Sequence, residues 1–280
     1  MSLLPGGANT AAYGISADGS TIVGEKGIDG VSWPANRRAY RWTAAGGFEV
    51  LASFYSYSWK ASGDGSKVVC LGKPTPDGKQ RGMLWTAATG MRDLGAIDDG
   101  ESSARVITDD GNVVVGATGV AMESPRDYPS SVFRWTESGG MEILGCLKNS
   151  AMDAFAANRD ASVIGGYYIE PGAPTSYGEK AWIWTRQMGF RDFREFLVER
   201  GVDCTGWNFN FIYGMSADGG TIVGQALHNG QQAAFRIAGL TYPTDSVAPS
   251  STHSISPSTP ASLWHVATPV TVSVSATDAA

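Results

Sequence analysis

Along this chain the apolar positions fall into short runs, mostly alternating or β-branched, and the polar positions between them return at fixed distances. Residues 15–24 read ISADGSTIVG and residues 215–224 read MSADGGTIVG. The Asp of that motif recurs at Asp18, Asp64, Asp110, Asp160 and Asp218, at intervals of 46, 46, 50 and 58 residues. Periods of this size indicate solenoids, propellers or arrays. Two residues before each Asp stands a small hydrogen-bonding side chain: Ser16, Ser62, Thr108, Asn158 and Ser216. Gly19, Gly65, Gly111 and Gly219 follow the Asp, with Ala161 as the one departure. Asp-Gly between two apolar runs predicts a tight hairpin, because glycine accepts the positive φ that such a turn needs.

The flanking segments read as strands. AAYGIS, SWKASG, SARVIT, DAFAAN and FIYGMS precede the turns, and STIVG, SKVVC, NVVVG, SVIGG and GTIVG follow them. The second set carries the β-branched residues of buried strands. A third strand ends in aromatics at Trp42, Trp85, Trp135 and Trp184, with Phe235-Arg236-Ile237 in the last unit, and a Gly-containing turn leads to a fourth strand. Each unit is a four-stranded antiparallel meander, too small to bury both faces alone, so units must stack. Four-stranded units arranged radially make a β-propeller. The small residues of each first strand suit convergence on a central axis.

The strand count at the ends favours closure. The fifth unit stops after its third strand, Ala233–Ile237, and the chain opens with MSLLPGG, which aligns with fourth-strand endings such as LGAI. The expectation is therefore an all-β fold: a five-bladed β-propeller over 1–240, with Leu3 and Leu4 in an N-terminal strand that closes the last blade. FREFLVERG in the fourth unit has apolar residues at helical spacing and predicts a short helix ending at Gly201. Residues 241–262, rich in Ser, Thr and Pro, read as a linker. Residues 263–280, with PVTVSVSAT, read as one strand opening a truncated β module.

The recurring order aromatic-Arg-Trp-Thr, Gly-Gly, Met-x-x-Leu-Gly, then Ser-x-Asp-Gly and Val-Val-Gly resembles the bacterial extracellular HAF-repeat family. RWTAAGGFEVL at 41–51, LWTAATGMRDLGAI at 84–97 and FRWTESGGMEILGCL at 133–147 carry the likeness. The family's His-Ala-Phe triplet is replaced, for example by Arg38-Ala39-Tyr40. The tail from Asp245 is similar to the opening of Ig-like modules of bacterial surface proteins. The resemblance implies an exported, cell-surface or extracellular protein. It brings no settled activity and no catalytic residue.

Composition narrows the chemistry. The 280 residues carry a formal net charge of −6, with no basic field for nucleic acid or anionic lipid. No apolar run is long enough for a membrane span. Met1-Ser2-Leu3 lacks the order of a signal peptide; because the chain opens inside a fourth strand, an upstream piece that could carry a leader is expected. Cys70, Cys146 and Cys204 sit at dissimilar positions and read as free thiols. His228, His253 and His265 are too few and too scattered for histidine-based catalysis, and single turn carboxylates do not make a calcium site. No cofactor or metal is expected.

Three functional readings remain. The long connections of three units, residues 25–38, 117–131 and 167–179, share a face with the unit-to-unit links, and aromatics concentrate there: Trp33, Tyr55, Tyr57, Tyr128, Tyr167, Tyr168, Tyr177 and Trp207. Flat rings with polar tips suit stacking on sugars or anchoring a protein. The leading reading is a monomeric, non-catalytic binding module for a glycan or a surface protein. The alternative is a glycan-active enzyme. That would need paired carboxylates, but the first strands offer only Asp153, beside Lys60 and Arg105. Glu123 with Asp127 and Glu170 with Glu179 are the loop candidates. A purely architectural spacer is a third possibility.

Overall fold

The turns form through their own side chains. Ser16 Oγ donates to Asp18 Oδ1 (2.6 Å) and accepts from the Thr21 N–H (2.9 Å), while Asp18 Oδ1 also accepts from the Ser20 N–H (2.9 Å). The arrangement repeats at Ser62 with Asp64, Thr108 with Asp110, and Ser216 with Asp218. In the fourth turn Asn158 Oδ1 accepts from the Val163 N–H instead, at 2.9 Å. Gly19, Gly65, Gly111 and Gly219 all have φ between 67° and 74°, and Ala161 takes the same left-handed conformation at 54°. The glycine of the motif is thus explained by backbone sterics, and Ala161 tolerates the strain that the other turns avoid.

The computed structural model describes residues 4, 9–28, 37–74, 78–119, 129–173, 178–243, 250–256 and 271–277. Within the unit Met1–Thr241 the described residues form five antiparallel sheets, each a simple meander. The first holds β1 (Thr10–Ile15), β2 (Thr21–Gly27), β3 (Arg37–Thr43) and β4 (Gly47–Val50). The second holds β5 (Ser56–Ala61), β6 (Lys67–Gly72), β7 (Arg81–Thr86) and β8 (Gly90–Asp93). The third holds β9 (Glu101–Ile107), β10 (Val113–Gly119), β11 (Ser130–Thr136) and β12 (Gly140–Gly145). The fourth holds β13 (Ala151–Ala157), β14 (Val163–Ile169), β15 (Glu179–Thr185) and β16 (Gly189–Asp192). The fifth has three strands: β17 (Trp207–Met215), β18 (Thr221–His228) and β19 (Gln231–Ala238).

Alternation along each strand serves two neighbours at once. Val68 and Cys70 of β6 pack with Val23 and Ala39 of the first sheet, while Val69 between them packs with Ala104 and Val114 of the third. Val115 and Val132 join Met152, Ile164 and Trp182 across the third and fourth sheets. Serine hydroxyls join neighbouring sheets. Ser58 Oγ accepts from the Gly24 N–H (2.8 Å), and Ser130 Oγ ties the third sheet to the Met152 N–H (2.7 Å). Adjacent turns are also joined, by Ala17 N–H to the Gly63 carbonyl (3.1 Å) and Gly63 N–H to that of Asp109 (2.7 Å). The expected helix is α1 (Phe193–Val198), capped by Asp192 Oδ1 accepting from the Glu195 N–H. Its Phe193 packs edge-on to Phe209, with ring centroids 5.4 Å apart.

The N-terminal closing strand falls almost wholly outside the described residues; Leu4 alone is described, half-buried and not in a strand. The tail departs from expectation. Part of the supposed linker forms β20 (Ser250–Ser256), which pairs antiparallel with β21 (Thr271–Thr277), so the strand at 271–277 does have a partner. Ser and Thr suit a linker, but Thr also favours extended backbone, and a complementary strand supplies the ladder.

The turns carry a pH signature. Hydrogen bonds, the Ser62 hydroxyl first, hold Asp64 down to about 2, and the Ser16, Thr108, Ser162 and Ser216 hydroxyls likewise lower Asp18, Asp110, Asp160 and Asp218. A carboxyl depressed in the folded chain stabilises it fully above the unfolded value of about 3.9, and that contribution disappears as pH falls through the folded value. Denaturant midpoints are therefore expected to hold from pH 7 to 5 and to drop between about pH 4 and 2. Changing all five Asp to Asn should flatten that acid limb; an unchanged limb would locate the acid sensitivity elsewhere.

Candidate functional site

The first strand of each of the five sheets in Met1–Thr241 breaks register at a corresponding place, and β17 has a second break between Phe209 and Phe211. The register of β1 against β2 skips from Ala12 to Gly14, that of β5 from Ser58 to Lys60, and that of β13 from Ala154 to Ala156. In β9 the skip lies between Ala104 and Val106, and in β17 between Ile212 and Gly214. The unpaired residues are Tyr13, Trp59, Arg105, Phe155 and Tyr213. Each stands five residues before its turn Asp. A bulge inserts one residue, bends the strand and re-aims a side chain. Here five bulges at one level aim four rings and a guanidinium at a common cavity.

That cavity measures about 500 Å³ and is lined by all five of these residues together with Gly14, Ile15 and Lys60. It lies where the first strands run into the Asp-Gly turns. Neighbouring rings are in contact: Tyr13 with Trp59 at 5.1 Å between centroids, and Phe155 with Tyr213 at 5.8 Å. Arg105 bridges the two pairs, 4.3 Å from the Trp59 ring and 5.4 Å from the Phe155 ring. Tyr13 and Tyr213 remain 45% and 51% exposed, so their rings are open to a ligand. Two residues further back, Tyr57, Asp153 and Phe211 pack behind this layer.

Charge in the cavity is unequal. Arg105 Nε and Nη2 each donate to Asp153 Oδ2 at 2.8 Å, and Asp153 Oδ1 accepts from the Ala154 N–H at 3.0 Å. Burial raises the Asp153 carboxyl, with Arg105 acting against it. Burial lowers the Lys60 ammonium, and no hydrogen bond or ion pair among the described residues engages Lys60. No carboxylate is among the described lining residues. Among the described residues no group of three or more His, Cys, Asp or Glu is placed to hold a metal.

The residues singled out in the sequence are placed differently. Trp33, Tyr128 and Tyr177, with Glu123, lie outside the described residues. Tyr57 is in β5 and Tyr167 and Tyr168 are in β14, not in loops; Trp207 opens β17. Tyr168 is fully buried, its hydroxyl donating to Asp192 Oδ2 at 2.9 Å, so it is a core residue and no ligand platform. The reason is ordinary strand alternation, which turns it into the sheet interface with Trp182. Tyr55 stacks edge-on to Tyr57 at 5.8 Å, and burial pushes the Tyr57 hydroxyl up to about 12. Trp207 lies parallel to the His228 ring at 4.4 Å. Tyr167 touches Phe155, and so reaches the cavity wall from behind. None of the five that are described lines the cavity. Tyr13, Phe155 and Tyr213 went unread, although their fixed distance from the turn Asp was visible.

No family model matches the chain, and no curated protein is similar to it in sequence. Solved structures do match. The β-propeller domain of the Trilobed protease from Pyrococcus furiosus, described as having an open velcro topology, superposes with a TM-score of 0.55 at 14% identity, over 84% of this chain and 70% of that one. Prolyl endopeptidase gives 0.52 at 9% identity, over 91% of this chain. The acylaminoacyl peptidase of Pyrococcus horikoshii gives 0.50 at 11%, over 81% of this chain. The chain spans 39% and 37% of the length of those two peptidases. At such identities the likeness is one of fold alone, and that fold is the β-propeller.

Proposed function

We propose that this protein is a non-catalytic binding module, built as a five-bladed propeller and belonging to an exported or surface protein, that receives a glycan in its central cavity. The observation that carries the reading is the ring of five bulges, which presents Tyr13, Trp59, Phe155 and Tyr213 around Arg105 in one cavity. Its volume lies within the range of small-ligand pockets, and aromatic walls with polar tips suit sugar rings. The site thus lies where the first strands meet the Asp-Gly turns. Exposed rings of this kind need no packing role, since half of Tyr213 is open to solvent.

Catalysis fits less well. Glycoside hydrolysis takes two carboxyls facing one bond. Asp153 is held by Arg105, and Glu170 is bound by Lys148 (3.2 Å) and Lys180 (3.0 Å), which lower its carboxyl. The exported setting rests on the resemblance to HAF repeats. Five blades accord with the five sheets, the fifth with three described strands, and in this reading an N-terminal strand in residues 1–7, with Leu3 and Leu4, completes the last blade. Deleting those residues is expected to lower the melting temperature by several degrees, because it uncovers a strand edge; an unchanged value would mean an open ring.

Titrating a panel of oligosaccharides while following tryptophan fluorescence tests the binding reading. Binding should weaken about tenfold in Tyr213→Ala and in Tyr13→Ala, the scale of one lost stacking contact. Unfolding midpoints should hardly move. If no saccharide binds, or if both variants bind like the parent, the reading fails. Release of new reducing ends would establish an enzyme instead.

A further inference from the structure

Among the described residues, Lys60 is the charge in this cavity without an ion-pair partner. It follows the bulge residue Trp59 on β5, and its backbone packs against Gly14, where an added Cβ would lie 3.1 Å from Lys60 Cα. The side chain lines the cavity among rings. The other cation lining the cavity is answered: Arg105 sits on Asp153 at 2.8 Å. Asp109 is the acid whose charge reaches Lys60, and it makes no ion pair with it. A half-buried ammonium with no ion pair among the described residues loses part of its hydration, and binding sites accept that cost where a ligand supplies the anion.

We infer that the ligand is an acidic sugar, whose carboxylate pairs with Lys60 while its ring rests on Tyr13 and Tyr213. This deepens the glycan reading above and rests on it. The lining favours a sugar over an aliphatic side chain, since four ring faces stand against the single aliphatic Ile15. Arg105 is not the anchor, because its Nε and Nη2 are already directed at Asp153. The overall negative charge of the chain makes the local cation more selective: acidic ligands gain only where Lys60 stands.

The probe is an oligogalacturonate as the free acid, its methyl ester, and an acetylated tripeptide with a free terminal carboxylate, each titrated by calorimetry. The free acid should bind at least about tenfold more tightly than the ester, the scale of one charge-assisted hydrogen bond. Lys60→Met, which keeps the apolar stem, should erase that preference, and Lys60→Arg should restore most of it. Equal binding of acid and ester would overturn the acidic ligand and leave the glycan module standing. Tighter binding of the tripeptide than of either saccharide would overturn it in favour of a peptide carboxylate. Binding of none of the three, with glycans failing throughout, would remove the underlying reading as well. The comparison of acid with ester needs no variant, so a folding defect at Lys60 cannot hide the answer.

Discussion

Gly116→Ala is expected to lower the melting temperature by about 10 °C or more, at roughly 2–4 °C per kcal/mol for a chain of this size. An added Cβ at Gly116 would lie 1.9 Å from the Ser103 carbonyl oxygen and 2.9 Å from Phe133 Cζ. Gly24, Gly166 and Gly224 meet the carbonyls of Ala11, Asp153 and Phe211 at 1.9, 2.0 and 1.9 Å. Each of these glycines is paired with the residue just before a bulge: Ala12, Ala104, Ala154 or Ile212. The bulge drives a backbone carbonyl across the sheet, and backbone cannot swing aside as a side chain can. A loss of about 3–5 kcal/mol is the range of severe single substitutions. Gly140→Ala in the same sheet is the control. Its φ is +67° with nothing within 4 Å of the added atom, so left-handed strain alone should cost about 1–2 kcal/mol. Calorimetry on the two variants decides: equal shifts would mean that the bulge gives way and that its geometry does not fix the cavity ring. Cys70 occupies the same position of the second sheet, opposite Ser58, and nothing in the structure explains how that sheet accepts a Cβ there.

Those glycines show where the sequence was legible and where it was not. The motif Ser-x-Asp-Gly declares its own turn, since the hydroxyl, the carboxylate and the left-handed glycine act within six residues, Ser16 to Thr21. The meander and the sheet count follow from its repetition. The glycine of TIVG reads as a small residue at the end of a strand, because the bulge that demands it lies on the neighbouring strand. For the same reason the column Tyr13, Trp59, Arg105, Phe155, Tyr213 looked like ordinary alternation among small residues; only the register reveals that each is unpaired. Tyr168 shows the reverse error. A tyrosine beside a long connection looked exposed, yet the strand extends far enough to bury it. Lys60 and Arg105 were visible as cations on first strands. Only the geometry separates the one that is neutralised from the one that is not.

The Arg105–Asp153 pair should prove the most costly polar contact to break. Asp153 is buried, with its side chain 3% exposed, and Arg105 is 18% exposed and held between two rings. Asp153→Ala removes the anion and leaves a largely desolvated guanidinium, a change that typically costs about 3–5 kcal/mol. Replacing both, as Arg105→Met with Asp153→Leu, takes away charge and counter-charge together and should recover most of that loss. Urea unfolding of the two singles and the double gives the coupling directly. A single Asp153→Ala cost below about 1 kcal/mol would mean that water already screens the pair. Function gives an independent readout. In Asp153→Ala the cavity would carry two unanswered cations, Lys60 and Arg105, in place of one. Such a variant, at a temperature where it stays folded, should bind the free-acid oligogalacturonate more tightly than the parent does and the methyl ester no better. If acid binding instead falls while the fold survives, Asp153 holds Arg105 in the position that the ligand needs, and the orientation of the guanidinium matters more than its charge.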